Sequence, residues 1–328
     1  MTFSHREIIP ARPSVQYMEM AFIICHMYGM ELRHIRYFLA VAEERNFTRA
    51  AARLGIGQPP LSSQIKDLEA EIGTLLFHRV AHGAELTEAG QAFLDGVAPL
   101  PGQVAAAVRA ARRAARGEIG QLSIGLTGTA ALNPIVPAAI RSFGRTYPDV
   151  ELRVEEASSL TLLDNLVEGR LDVAILRPAA SDPEGVREES LAEEPLVVAL
   201  PAAHPAARGK GALDLATLRD DALILTPRSV GTSLHDAALA ACRAAGFEPR
   251  LGQPAPQIAS ILSLVSAELG ISLVPESMGG LNVHGVAFRS IRAPTPRIGL
   301  AVVYRRNRPP PLALNFAKVA RDTARGRV

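Results

Sequence analysis

Apolar side chains recur at three- and four-residue steps through Leu32, Ile35, Phe38, Leu39 and Ala42, so they share one buried face of a helix. Asn46 is placed to cap a second helix over 47–54, with Phe47, Ala51 and Leu54 inward. Gly55-Ile56-Gly57 breaks it. A third helix opens at Pro59-Pro60, tolerated because first-turn amides lack an intrahelical acceptor. Its stripe is Leu61, Ile65, Leu68, Ile72 and Leu76, while Ser62, Ser63, Lys66 and Asp67 face away. Residues 76–80 and 84–86 around His82-Gly83 read as a two-stranded wing. From Thr87-Glu88 an Ala-rich helix runs to Arg116, with a break expected near Leu100 where Pro99 and Pro101 fall. Beyond that break Val104, Val108, Ala111 and Ala115 form a narrow apolar seam.

From Gln121 onward short strands alternate with helices. Strands are expected at 121–126, 151–156, 172–176, 196–200, 222–225, 271–275 and 298–304. Helices are expected at 133–147, 161–168, 233–245, 257–267 and 311–324. Such alternation predicts parallel sheets covered by helices on both faces, in two clusters and hence two subdomains.

Composition narrows the partners. With 48% hydrophobic and 21% charged residues the chain is an ordinary globular one, and a formal charge of +2 excludes a general nucleic-acid coat. Any DNA binding must come from a local surface. Residues 30–82 carry seven basic side chains (Arg33, Arg36, Arg45, Arg49, Arg53, Lys66, Arg79) against six acidic ones (Glu31, Glu43, Glu44, Asp67, Glu69, Glu71). Arrangement and bivalency, rather than net charge, must then supply affinity. Two cysteines, Cys25 and Cys242, give no disulfide framework and fit a reducing, cytoplasmic setting. No apolar run reaches the ~18 residues that span a bilayer, so no membrane partner is expected. Five of the six methionines fall within the first 30 residues, and 1–29 reads as an extension outside the fold, with Met30 as the functional beginning.

Chemistry concentrates in the helical hairpin. Ala51 at the helix crossing, Gly55 at the turn and Leu61 as anchor have the offsets of a DNA-reading helix-turn-helix. Gln58 can pair with adenine, and Ser62 and Ser63 can bond base or phosphate, beside Lys66. A plain three-helix bundle with solvated serines is the alternative. In the wing, Arg79 and His82 reach toward minor groove or phosphate, or are solvated charges. The Arg305-Arg306-Asn307-Arg308 run is either a second basic surface or the solvated end of a strand.

These residues resemble the LysR-type transcriptional regulators. The similarity rests on residues 30–38, 46–51, Gln58-Pro59-Pro60-Leu61-Ser62, Leu76-Phe77 and 86–90. It continues with Gly125-Leu126, residues 169–174 and residues 270–275. The resemblance implies an α-helical winged helix-turn-helix at 30–87 and a dimerising linker helix at 88–117. It also implies an α/β effector-binding domain at 118–328. That domain comprises two parallel or mixed-sheet subdomains like those of periplasmic binding proteins, about 118–190 with 293–328, and 191–292. Tetramers built from two kinds of dimer, a palindromic double-stranded operator and RNA polymerase as a further candidate partner follow from it. Thr48, Arg49, Gln58, Pro59, Ser62, Ser63, Lys66, Arg79 and His82 become the DNA-binding candidates. Ser63 departs from the pattern, since relatives often carry arginine there, and the loss is worth ~1–3 kcal/mol at one base. The two linker prolines are a second departure.

Ligands of parallel α/β sheets bind beyond the carboxyl ends of strands. The hydroxyl-rich loops there make Thr127, Thr129, Ser158, Ser159, Ser229 and Thr232 effector-binding candidates, with Arg177 as counter-charge to an expected carboxylate. Each hydroxyl alone could equally be a helix cap. No cofactor, metal site or catalytic residue is expected. The chain lacks Gly-x-Gly-x-x-Gly, a P-loop, His-Glu-x-x-His and paired cysteines, and its eight histidines are scattered. The rival readings are a solute-binding protein, which leaves 30–95 unexplained, and a DNA binder whose second domain binds nothing.

Overall fold

The computed structural model describes residues 30–80, 83–179, 184–209 and 211–326. The chain divides into two compact units, one ending at Arg109 and the other beginning at Ala110. The expected extension 1–29 and His82 lie outside the described residues.

In the first unit, α1 (Leu32–Glu44), α2 (Phe47–Leu54) and α3 (Gln58–Ile72) precede the hairpin of β1 (Phe77–Val80) and β2 (Gly83–Leu86). Phe38, Val41, Ala50, Leu61, Ile65, Leu68 and Leu76 are fully enclosed, and Phe38 meets Phe93 edge-on with ring centroids 4.9 Å apart. Asn46 Oδ1 accepts the Thr48 and Arg49 amides at 2.9 and 3.0 Å, fixing the start of α2. Gly55 ends α2 at φ 71°, left-handed backbone that costs a residue with a Cβ roughly 1 kcal/mol or more. Leu32 corrects the sequence reading: expected inward, it is 62% exposed, because it occupies the first turn of α1, ahead of the bundle. Leu76 is buried as expected but follows the end of α3 at Gly73.

The two prolines interrupt the long helix. It ends as α4 (Glu88–Val97) and restarts as α5 (Leu100–Ala115). No described residue of α5 is buried, and Val104 and Val108 stand 44% and 45% exposed, an apolar seam left uncovered within one chain.

The second unit is built on β3 (Gly120–Leu126), β4 (Val150–Glu156), β5 (Val173–Leu176), β6 (Val186–Pro201), β9 (Ser272–Pro275), β10 (Val286–Ser290) and β11 (Arg297–Arg305). Between them lie α6 (Gly128–Ala131), α7 (Ile135–Thr146), α8 (Ser159–Glu168), α9 (Ser233–Ala244) and α10 (Ile258–Ser266), with α11 (Pro311–Ala324) last. A short parallel pair, β7 (Ala222–Leu223) and β8 (Arg250–Leu251), stands apart. The described strands join in the order β10-β6-β11-β5-β3-β4, with β9 also on β6.

Of the parallel or mixed sheets expected, the main sheet is mixed. Only β3–β4 and β3–β5 are parallel in the main sheet, whereas β11 and β6 run against their neighbours. The strand expected at 196–200 is the last third of the sixteen-residue β6. Its first part, Val186 to Glu194, is too rich in glutamate to read as a strand and is held by pairing with β11. The expected strand at 222–225 shrinks to two residues, and β10 had no counterpart among the expectations.

β6 serves both subdomains. Residues 186–195 pair with β11, while 196–201 pair with β9 and β10, so the change of partner falls at Pro195-Leu196. Each lobe buries both sheet faces. Ile124, Val173 and Val302 pack under Phe143 and Phe316, and Ala174, Leu176 and Val303 under Leu162 and Leu166. In the second lobe Val198 and Leu200 face α9, while Val197 and Ala199 face α10.

Candidate nucleic-acid interface and ligand cavity

Gln58, Ser62 and Lys66 recur at four-residue steps and therefore form one stripe on α3, at the edge of the face buried by Leu61, Ile65 and Leu68. Ser63 and Pro59 flank that stripe and are exposed. Gln64 is turned aside: its amide oxygen lies 3.1 Å from His34 Nε2 and its nitrogen donates to Asp67 at 3.2 Å. The exposed face thus presents short polar groups and one lysine, Lys66, with no ion-pair partner among the described residues.

Among the acidic side chains of this unit, Glu69 is buried. Its Oε1 accepts the Leu76 and Phe77 amides at 2.9 and 3.1 Å and so hangs the wing from α3. Glu44 engages Arg49 and Arg53, and Glu43 also takes Arg53. Arg49 further donates to the Glu44 carbonyl at 2.6 Å, closing the end of α1 beside the exposed Thr48. Much of the acidic complement is thereby used internally. Arg79, on β1, lies over the Phe47 ring at 5.0 Å, held by cation–π attraction next to the start of α2. Lys66 and Arg79 flank an open concavity of about 540 Å³ between α3 and β1.

In the second unit a cavity of about 340 Å³ opens at the carboxyl ends of β3, β4 and β5. Of the candidates, Thr127, Thr129, Ser158, Ser159 and Arg177 line it; Ser229 and Thr232 do not, while their neighbours Val230, Gly231 and Ser233 do. The sequence reading missed Glu156, Thr226, Ser233 and Gln257. Gln257 immediately precedes α10, a position that loop composition alone does not mark. The first turns of α8, α9 and α10 all reach the cavity through Ser159, Ser233 and Ile258, directing the positive ends of three dipoles at its contents.

Two polar groups in the wall are buried without a partner among the described residues: Thr127 Oγ1 and Arg177 Nε. Thr127 is 8% exposed and Arg177 3%. Ser158, by contrast, is occupied as the cap of α8, accepting the Thr161 amide at 3.2 Å. The Arg177 guanidinium pairs with Glu194 and donates to the carbonyls of Thr129 at 3.0 Å and Gly299 at 3.3 Å. Its charge is therefore compensated within the protein, and its Nε–H is the donor left without a partner among the described residues. Glu194 also accepts Asn133 Nδ2 at 3.0 Å and the Ser277 amide at 2.9 Å. Burial works to raise its pKa, but Arg177, Asn133 and the Ser277 amide outweigh that and hold the carboxyl below its ordinary range.

Two family descriptions match the chain. "Bacterial regulatory helix-turn-helix protein, lysR family" covers residues 32–91, and "LysR substrate binding domain" covers 115–325. The HTH-type transcriptional regulator BudR of Raoultella terrigena is 39% identical over 277 residues, 84% of this chain and 95% of that protein. AlsR of Bacillus subtilis strain 168, also an HTH-type transcriptional regulator, is 35% identical over 291 residues, 89% and 95% of the two chains. Among solved structures, full-length CbnR in complex with its target DNA superposes with a TM-score of 0.74 at 30% identity, covering 90% of this chain and all of that one.

Proposed function

The chain belongs to the LysR family of DNA-binding transcriptional regulators, and from that premise we propose that it reads a palindromic operator under control of a small organic acid. The stripe Gln58, Ser62 and Lys66, with Ser63 beside it, enters the major groove. Arg79 and Thr48 contact the flanking phosphates, and Arg49 joins them by leaving Glu44. The uncovered seam of α5 pairs with its copy in a second chain, so that two reading heads act together, and dimers associate further into tetramers.

One observation carries the effector reading: a cavity with two buried donors, Thr127 Oγ1 and Arg177 Nε, that lack any partner among the described residues. Unpaired buried donors cost about 1–3 kcal/mol each, which a carboxylate arriving between three helix amino termini relieves. The effector then shifts the balance between two arrangements of the lobes that differ in how the reading heads sit on DNA.

Melting the full chain with a panel of small carboxylates, together with operator footprinting, tests this. A true effector at ~100 times its dissociation constant adds ~2.7 kcal/mol, alters the footprint, and loses most of its effect in Thr127→Val. Stabilisation indifferent to Thr127→Val, or a footprint unchanged by every acid that binds, overturns the reading.

A further inference from the structure

The walls of the cavity hold a charge pattern that narrows the effector further, given the reading just proposed. Among the described residues that line it, Arg177 and Glu156 are the ionisable ones. Arg177 is already neutralised by Glu194. Glu156 has no hydrogen-bond or ion-pair partner among the described residues and is exposed at the cavity edge.

Glu156 ends β4 in register with Leu126 of the parallel β3, so Thr127 and Gly128 lie one strand away, a spacing of about 4.8 Å. Its Oε1 sits so close to Gly128 that a Cβ there would come within 2.8 Å of it. An uncompensated carboxylate thus stands one strand from Thr127, across the cavity wall that Arg177 also lines. A simple organic acid meets repulsion from it, and a dicarboxylate meets more, with no free cation in the wall to offset either. A ligand carrying an ammonium a few ångströms from its carboxylate satisfies both ends.

We propose that the effector is a zwitterion of the α-amino acid class. Its carboxylate lies against Thr127 Oγ1 and the Arg177 Nε–H, its ammonium against Glu156, and its side chain among Val230, Leu234 and Ile258. That apolar wall selects aliphatic side chains.

Calorimetric titration of the full chain with the aliphatic L-amino acids, each matched to the carboxylate lacking its amino group, tests the assignment. At least one amino acid should bind tenfold or more tightly than its matched carboxylate, the worth of one charge-assisted hydrogen bond. Glu156→Gln should reduce that preference to about twofold by weakening the amino acid alone, and Glu156→Asp should keep most of it. Melting temperatures of both variants without ligand control for folding; should Glu156→Gln fail to fold, Glu156→Asp and the wild-type preference carry the comparison. Matched carboxylates binding as tightly as the amino acids, yet still sensitive to Thr127→Val, overturn the zwitterion and leave the organic-acid reading intact. Binding by neither series, or binding that Thr127→Val does not change, overturns both.

Discussion

Ser63 stands exposed beside the Gln58–Ser62–Lys66 stripe, with room for a longer side chain. Ser63→Arg should gain a bidentate contact to guanine, shifting half-site preference by ~1–3 kcal/mol at one base, as read by binding to a randomised operator library. Cys242 shows a different kind of residue-scale effect. Burial in α9, and to a lesser degree Glu248, push its thiol up to about 11, so the reactive thiolate is scarce near neutral pH. Iodoacetamide at pH 8 should label it slowly in the folded chain and rapidly in denaturant. The composition showed the cysteine but not its burial, which depends on the helix face that packs against β6. Glu156 escaped the sequence reading for a related reason. It ends a strand expected at 151–156, and only the parallel register with β3, which pairs it with Leu126, sets it next to Thr127.

Local helical elements were legible wherever apolar periodicity and stop signals agreed, as in α1, α2 and α3 with Asn46 and Gly55 at their ends. The break before α5 was legible from Pro99 and Pro101. β6 was not, because Glu188, Glu189, Glu193 and Glu194 mask a strand that tertiary pairing with β11 imposes. Helix α3 and the wing are joined by a device equally silent in the sequence. The Glu69 carboxylate replaces the backbone partner that the Leu76 and Phe77 amides would otherwise lack. Glu69→Ala should cost ~1–3 kcal/mol of stability and weaken operator binding, because the wing loses its tether. Thermal melting and operator titration of the full chain check the two effects separately. Close packing enforces the same junction at Gly90, where a Cβ would overlap the Leu76 carbonyl oxygen.

At the scale of the molecule, the sequence predicts a two-lobed effector domain but does not say how the lobes are joined. Glu194 is that join: it lies in the middle of β6 and holds Arg177 and Asn133 from one lobe and the Ser277 amide from the other. Glu194→Ala strands a buried guanidinium, and should lower stability by ~3–5 kcal/mol at pH 7. The folded carboxyl titrates below its ordinary range, so its contribution is complete above that range and fades as pH falls through the folded value. The gap between wild type and variant, read by denaturant unfolding, should therefore narrow in acid.

The sharing of β6 has a consequence for how the second unit is made and lost. The second lobe is inserted between β5 and β11 in chain order, so the first lobe cannot close its core from one stretch of chain: Leu300, Val302 and Phe316 return to it only after the second lobe has been made. Synthesis must reach β11, close to the carboxyl end, before the first lobe can finish, since β11 lies between β5 and β6. Folding of the first lobe is thus completed late. A chain truncated ahead of β11 should be an unfinished protein rather than a smaller one.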